Sequence, residues 1–91
     1  MTYRLIFTDQ YEKRARRFLN RHPDLDAHYL KTLSILEINP FHPSLRLHRL
    51  SGRLDGLYSV SITLSYRITH EFLINGEDIV PVDVGDHDTV Y

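Results

Sequence analysis

The hydrophobic period of this chain changes once, at the proline-punctuated segment Asn39-Pro40-Phe41-His42-Pro43-Ser44, from 3.6 residues before it to 2 after it. Helices therefore come first and most strands second, the pattern of an α+β domain and not of an alternating α/β one. Asp9 followed by Glu12 gives a capping-box-like start, and Tyr11, Ala15, Phe18 and Leu19 follow at i, i+4, i+7 and i+8. This spacing predicts a helix over Asp9 to Arg21. Pro23 cannot continue the ladder and pushes His22 out of the α region. Asp24 or Asp26 can cap a second helix with a buried stripe of Tyr29, Leu30, Leu33 and Leu36, which stops at Asn39-Pro40. Two helices joined by so short a turn form an antiparallel hairpin.

The strands follow from alternation. Tyr3, Leu5 and Phe7 share one side of an N-terminal strand, with Arg4 on the other. Leu45, Leu47 and the run to Leu50 predict a second strand, closed by the glycine-bounded turn Ser51 to Gly56. Residues 57 to 65 alternate most clearly: Tyr58, Val60, Ile62 and Leu64 face one way, Ser59, Ser61, Thr63 and Ser65 the other. Tyr66, Ile68, Phe72 and Ile74 then form an apolar face interrupted by His70, while Arg67, Thr69 and Glu71 point away. A two-residue turn at Asn75-Gly76 would put Val80, Val82 and Val84 out of phase with Ile68 and Phe72. A three-residue loop over Asn75 to Glu77 is therefore expected, setting Asp83 opposite Thr69 and diagonal to Arg67, with which its carboxylate can pair.

The expected order is β-α-α-β-β-β-β, with the helical hairpin on one face of a small, largely antiparallel sheet. The other face carries Ser59, Ser61, Thr63, Arg67, Thr69 and Asp83, either as the wet side of a sheet or as a concave binding surface. Ninety-one residues suffice for one domain, residues 1 to 91, and for one small core. The absence of cysteine excludes disulfides, a thiolate nucleophile and a cysteine zinc site. No histidine pair has the helical i, i+4 spacing with an acid partner that would suggest zinc, so no metal is expected. No apolar run approaches signal-peptide or membrane-spanning length, and a soluble cytoplasmic protein with no membrane partner is expected.

The net charge of −1 conceals a polarity. Residues 1 to 70 hold all eleven Lys and Arg against six acids, a balance of +5, while residues 71 to 91 hold the other six acids and no Lys or Arg, a balance of −6. A basic surface beside an acidic end fits either a polyanion partner or two ordinary solvated faces. Of the histidines, His22, His28 and His42 lie beside prolines or on a helix surface, and His70 reads as a core residue.

The stretch "LHRLSGRLDGLYSVSITLSYRI" and the terminal "VGDHDTVY" resemble the RelE/ParE superfamily of bacterial toxin-antitoxin toxins, nearest in pattern to its RelE/StbE and YafQ-like members. The shared features are an "H-x-L-x-G" segment, a "Y-R-[aliphatic]" strand and a "G-x-H-x-x-[aliphatic]-[aromatic]" end, in that order. The resemblance implies a toxin neutralised by a cognate antitoxin. In the RelE branch this is a ribosome-dependent endoribonuclease that cuts messenger RNA in the A site without a metal or other cofactor. A ribose 2'-hydroxyl attacks its own 3'-phosphate, which requires a base, cations for the phosphorane charge and an acid for the leaving oxygen.

Carried over residue by residue, the resemblance makes His48 a candidate base and Arg67 the stabiliser of phosphate charge. His87, flanked by Asp86 and Asp88, is a candidate acid or base, and Tyr91 is expected to stack on a base or assist proton transfer. Arg46, Arg49 and Arg53 extend the cationic track to the RNA backbone. The chain departs from the pattern at Ser59 and Ser61, where RelE has lysines, and at Asp83, where YafQ-like toxins carry an arginine. Two other readings of the same resemblance are a ParE-like gyrase inhibitor and a non-catalytic relative that retains antitoxin binding. The antitoxin is expected to wrap the sheet edge and the hairpin with an amphipathic, partly disordered segment.

Overall fold

The structure, a computed structural model, describes residues 3–52, 56–72 and 77–86. Helix α1 spans Asp9–Arg21, the bounds expected from its period. Its cap lies one residue upstream of the expected Asp9: the Thr8 side-chain oxygen accepts from the Tyr11 N–H at 3.1 Å. Asp9 and Glu12 occupy the first turn instead, where negative charge complements the helix dipole. Pro23–Leu25 forms a single 3₁₀ turn that leads into α2, Asp26–Ile38. Neither Asp24 nor Asp26 caps α2. Leu25 at that position already has a helical backbone, and the Asp26 N–H bonds to the Pro23 carbonyl, so the turn's own backbone does this work.

The buried stripe of α2 is Tyr29, Thr32 and Leu36, with Leu33 half-buried and Leu30 54 % exposed. The stripe is rotated from the expected one because two polar groups are satisfied within it. The Thr32 hydroxyl donates to the His28 carbonyl at 2.9 Å, and the Tyr29 hydroxyl meets that of Tyr11 at 2.8 Å, tying α2 to α1.

Five strands form one sheet in the order β1-β5-β4-β3-β2: β1 Arg4–Leu5, β2 His48–Arg49, β3 Tyr58–Ser61, β4 Tyr66–Phe72 and β5 Asp78–Asp86. Only the β1–β5 pair is parallel, and the others are antiparallel. Arg4 stands opposite Asp78 in that pair, and its guanidinium grips the carboxylate through two bonds of 3.0 and 3.1 Å. Three strands are shorter than their alternation suggests, and β1 keeps only Arg4–Leu5 of the expected run from Tyr3 to Phe7. Leu45 belongs to a 3₁₀ turn over Pro43–Leu45, and the run from Tyr58 breaks after Ser61. There the Ile62 and Thr63 N–H groups both bond to the Tyr66 carbonyl at 2.8 and 3.3 Å, so the chain reverses and Leu64 is left 76 % exposed.

Thr69 stands opposite Asp83, the expected register, but a bulge follows: His70 pairs with Pro81 and Phe72 with Ile79. Ile79, Pro81 and Val84 are therefore the buried side chains of β5, and Val80 and Val82 are only half-buried, which corrects the expected face of Val80, Val82 and Val84. A bulge accommodates Pro81, which has no N–H to give to a ladder. The loop expected over Asn75 to Glu77 lies largely outside the described residues. The core joins Tyr11, Phe18, Tyr29 and Leu36 of the helices to Val60, Ile68, Ile79 and Val84 of the sheet. Fully buried His70 lies beneath this face, its ring 6.1 Å from that of Tyr58.

Candidate functional site

The strand registers place the candidate residues in two rows on the sheet face opposite the helices. One row runs His48, Ser59, Thr69, Asp83 from β2 to β5; the next, two residues along, runs Ser61, Arg67, Gly85. His48 and Arg67 thus share a face, with Cα atoms roughly 12 Å apart from strand spacing and rise. Gly85 opposite Arg67 contributes no side chain to crowd it.

This face is not the wet side of a sheet. Ser59, Ser61 and Thr69 are all buried, and the Ser61 Oγ and Thr69 Oγ1 atoms make no hydrogen bond among the described residues. The Nε and Nη1 atoms of Arg67 are likewise shielded from solvent. A buried hydroxyl without a partner costs roughly 1–3 kcal/mol. Hydroxyls beside a guanidinium form a polar surface suited to an anionic oxygen.

The other candidates are distributed as follows. His48 is exposed on β2, the last strand of the sheet. Arg46 is exposed and ends the Pro43–Leu45 turn in the left-handed region at φ 50°. Arg49 follows His48 and by strand alternation lies on the other face, in the row of Tyr58, His70 and Pro81. Arg53, His87 and Tyr91 lie outside the described residues. Among the described residues no group of three or more His, Asp or Glu is placed to hold a metal ion, and no helix is long and apolar enough to cross a membrane.

Asp83 does not have the contact expected of it. Its Oδ1 accepts from the Val84 N–H at 2.9 Å, and its Oδ2 lies 3.9 Å from Nη1 of Arg14 on α1. The same Arg14 nitrogen donates to the Val82 carbonyl at 3.0 Å. The sequence reading located the basic half of the chain but missed its focus: Lys13, Arg14, Arg16, Arg17 and Arg21, five of the eleven Lys and Arg, lie on α1. The helical spacing of Arg14, Arg17 and Arg21, at i, i+3 and i+7, was the available signal. With Phe18, Asp83 and Val84 these three line a groove of about 280 Å³ between α1 and β5. Burial, together with Tyr29 and the charge of Asp83, pushes the Tyr11 phenol far above its ordinary range, so it stays a neutral partner for Tyr29.

No protein-family model and no curated protein matches the chain. Solved structures do. The chain superposes on a chain of the Escherichia coli DinJ-YafQ toxin-antitoxin complex with a TM-score of 0.71 and 20 % identity, covering 100 % of this chain and 99 % of that one. It superposes on the YoeB/ParE toxin from Agrobacterium tumefaciens with a TM-score of 0.72 and 15 % identity, covering 92 % and 98 %. For the archaeal RelE-RelB complex from Pyrococcus horikoshii the values are 0.69 and 21 %, covering 94 % and 96 %. At these identities the likeness is one of fold: two helices against a five-stranded mixed sheet, over nearly the full length.

Proposed function

We propose that this protein is the toxin of a toxin-antitoxin pair and acts as a ribosome-dependent messenger RNA endoribonuclease, held inactive by a cognate antitoxin. The observation that carries the reading is the placement of His48 and Arg67 on one sheet face, with the buried hydroxyls of Ser61 and Thr69 beside Arg67, in a fold shared with YafQ and RelE structures. In this reading His48 takes the proton of the ribose 2'-hydroxyl, whose oxygen attacks the adjacent phosphorus. Arg67 stabilises the charge on the phosphorane oxygens. The bond from phosphorus to the 5'-oxygen breaks, and that oxygen takes a proton from His87, leaving a 2',3'-cyclic phosphate and a free 5'-hydroxyl. Tyr91 stacks on a base, and Arg46 and Arg53 contact the RNA backbone, whereas Arg49, on the other face, lies away from this track. The ribosome positions the message, so few protein groups suffice.

The test is purified protein added to translating ribosomes, with the message ends mapped. Cleavage within the A-site codon, lost on addition of the antitoxin encoded beside it, supports the reading. Intact message rejects it. One observation favours a second reading: β3, β4 and β5 carry a single Lys or Arg, Arg67, where a nuclease face would be expected to hold several. Stalled gyrase supercoiling with intact message would identify a ParE-like inhibitor.

A further inference from the structure

We infer that Leu64 is a base-splaying wedge: it inserts between two neighbouring bases of a single-stranded RNA whose phosphate sits on Arg67, and so helps select which step of the strand is engaged. Five large apolar side chains are exposed among the described residues, and Leu64, at 76 %, is the most exposed. Phe7, Leu30, Ile38 and Phe41 lie in α2 or within three residues of a helix end. Leu64 alone of the five stands at the end of the sheet that carries Ser61, Arg67 and Gly85. A single exposed leucine is ordinary on any surface, so its setting decides. The alternation of Tyr58, Val60, Ile62 and Leu64 would allow β3 to run on, yet the chain turns back after Ser61. The Ile62 and Thr63 N–H groups donate to the Tyr66 carbonyl at 2.8 and 3.3 Å, and the Ser65 N–H donates to the Thr63 Oγ1 at 3.3 Å. The tip is pinned on both sides of Leu64, so its backbone has little freedom left to lose on binding.

Reach and chemistry then fix what the tip meets. Leu64 precedes Arg67 by three residues, so their Cα atoms lie within about 11 Å of one another. A stacked strand advances ~3.4 Å per base, which puts Leu64 within about three steps of the phosphate on Arg67. Leucine has no polar group with which to read a base edge; it acts by parting two stacked bases, as apolar wedges do. The hydroxyls of Thr63 and Ser65 on either side can donate to sugar or phosphate oxygens. In-line attack needs the 2'-oxygen, the phosphorus and the leaving 5'-oxygen close to one line, which a splayed step permits and a continuous stack does not. The inference rests on the proposed function for the RNA and for the phosphate on Arg67. It adds a residue and a rule of selection: unstacking costs differ between steps, so pyrimidine–purine steps such as UA are favoured over GG.

The probe is a short single-stranded RNA, 2'-O-methylated throughout so that no hydroxyl can attack, with 2-aminopurine between two adenosines. This base brightens when it loses its stacked neighbours. Full-length wild-type protein is expected to raise the fluorescence on binding. Leu64→Ser removes only an exposed side chain, so its urea midpoint should match the wild type. It is expected to bind ~10-fold more weakly and to form complexes without the brightening, as a lost stacking contact predicts, and Leu64→Met should restore both. An unlabelled strand with a central UA step should displace the probe at several-fold lower concentration than one with GG, a difference that Leu64→Ser erases. No brightening with the wild type, equal brightening with Leu64→Ser, or a lowered urea midpoint in Leu64→Ser would overturn the inference, the last by making the residue part of the packing. Because the probe cannot be cut, intact message on ribosomes rejects the nuclease reading and leaves these outcomes as they are. Message cleavage at the wild-type rate and steps by Leu64→Ser rejects the wedge alone.

Discussion

His48 and Arg67 project from the same face of the sheet on strands separated only by β3, with Ser59 beside the first and Ser61 beside the second. A base and a phosphate-charge stabiliser in that relation predict distinct losses. His48→Ala is expected to lower the single-turnover rate of message cleavage by ~10²-fold. Arg67→Ala is expected to lower it by ~10²–10³-fold, with Arg67→Lys recovering only part, since an ammonium cannot reproduce the planar fork. Single-turnover cleavage by the three variants, with partial recovery in Arg67→Lys, measures both contributions, and wild-type activity in both alanine variants would remove this face from the mechanism.

His70 makes the fold sensitive to acid. Burial holds its pKa down at about 4, against 6.5 for the unfolded chain. Because the folded value is the lower one, stability is fully present above pH 6.5 and falls as the unfolded state takes up a proton between pH 6.5 and 4. The loss approaches about 3 kcal/mol at the bottom of that window. Urea unfolding at pH 7.5, 6 and 5 should show the midpoint dropping. His70→Gln should lower the starting stability but flatten the dependence in the upper part of the window, where carboxylates do not yet titrate. An unchanged slope would place the acid sensitivity elsewhere.

The start of α1 distinguishes two capping schemes by one residue. Thr8→Ala removes the oxygen that accepts from the Tyr11 N–H and is expected to cost about 1 kcal/mol, whereas Asp9→Ala, losing only a first-turn charge, should cost a few tenths. Thermal unfolding of the two variants in the same buffer decides it.

Much of the architecture was legible because it depends on periods. The bounds of α1 and the pairing of Thr69 with Asp83 both follow from where apolar residues recur. What escaped depends on local satisfaction of polar groups, which no period records. Thr32 enters the buried stripe of α2 because its hydroxyl has the His28 carbonyl to bond, and Leu30 is displaced to solvent. The bulge at Val82, next to Pro81 with its missing N–H, shifts the phase of β5, though the bare alternation of Val80, Val82 and Val84 suggests otherwise. Asp83 invited pairing with Arg67 on strand geometry, but Arg14 approaches from α1, far earlier in the chain. The rows that bring His48 to Arg67's face were readable from alternation; the burial of the hydroxyls between them was not.

Those hydroxyls offer the sharpest separation of stability from function. Thr69 and Ser61 are 3 % and 7 % exposed, and neither hydroxyl oxygen has a hydrogen-bond partner among the described residues. Thr69→Val keeps the shape and removes the unsatisfied oxygen, so it is expected to raise stability by about 1 kcal/mol, visible as a higher urea midpoint at unchanged slope. If the pair helps Arg67 hold a phosphate, the same substitution should weaken binding of a short single-stranded RNA and slow message cleavage by ~10-fold. A stabilised protein with full RNA affinity would mean that the hydroxyls are only part of the sheet's packing, and Arg67 would have to hold the phosphate without them.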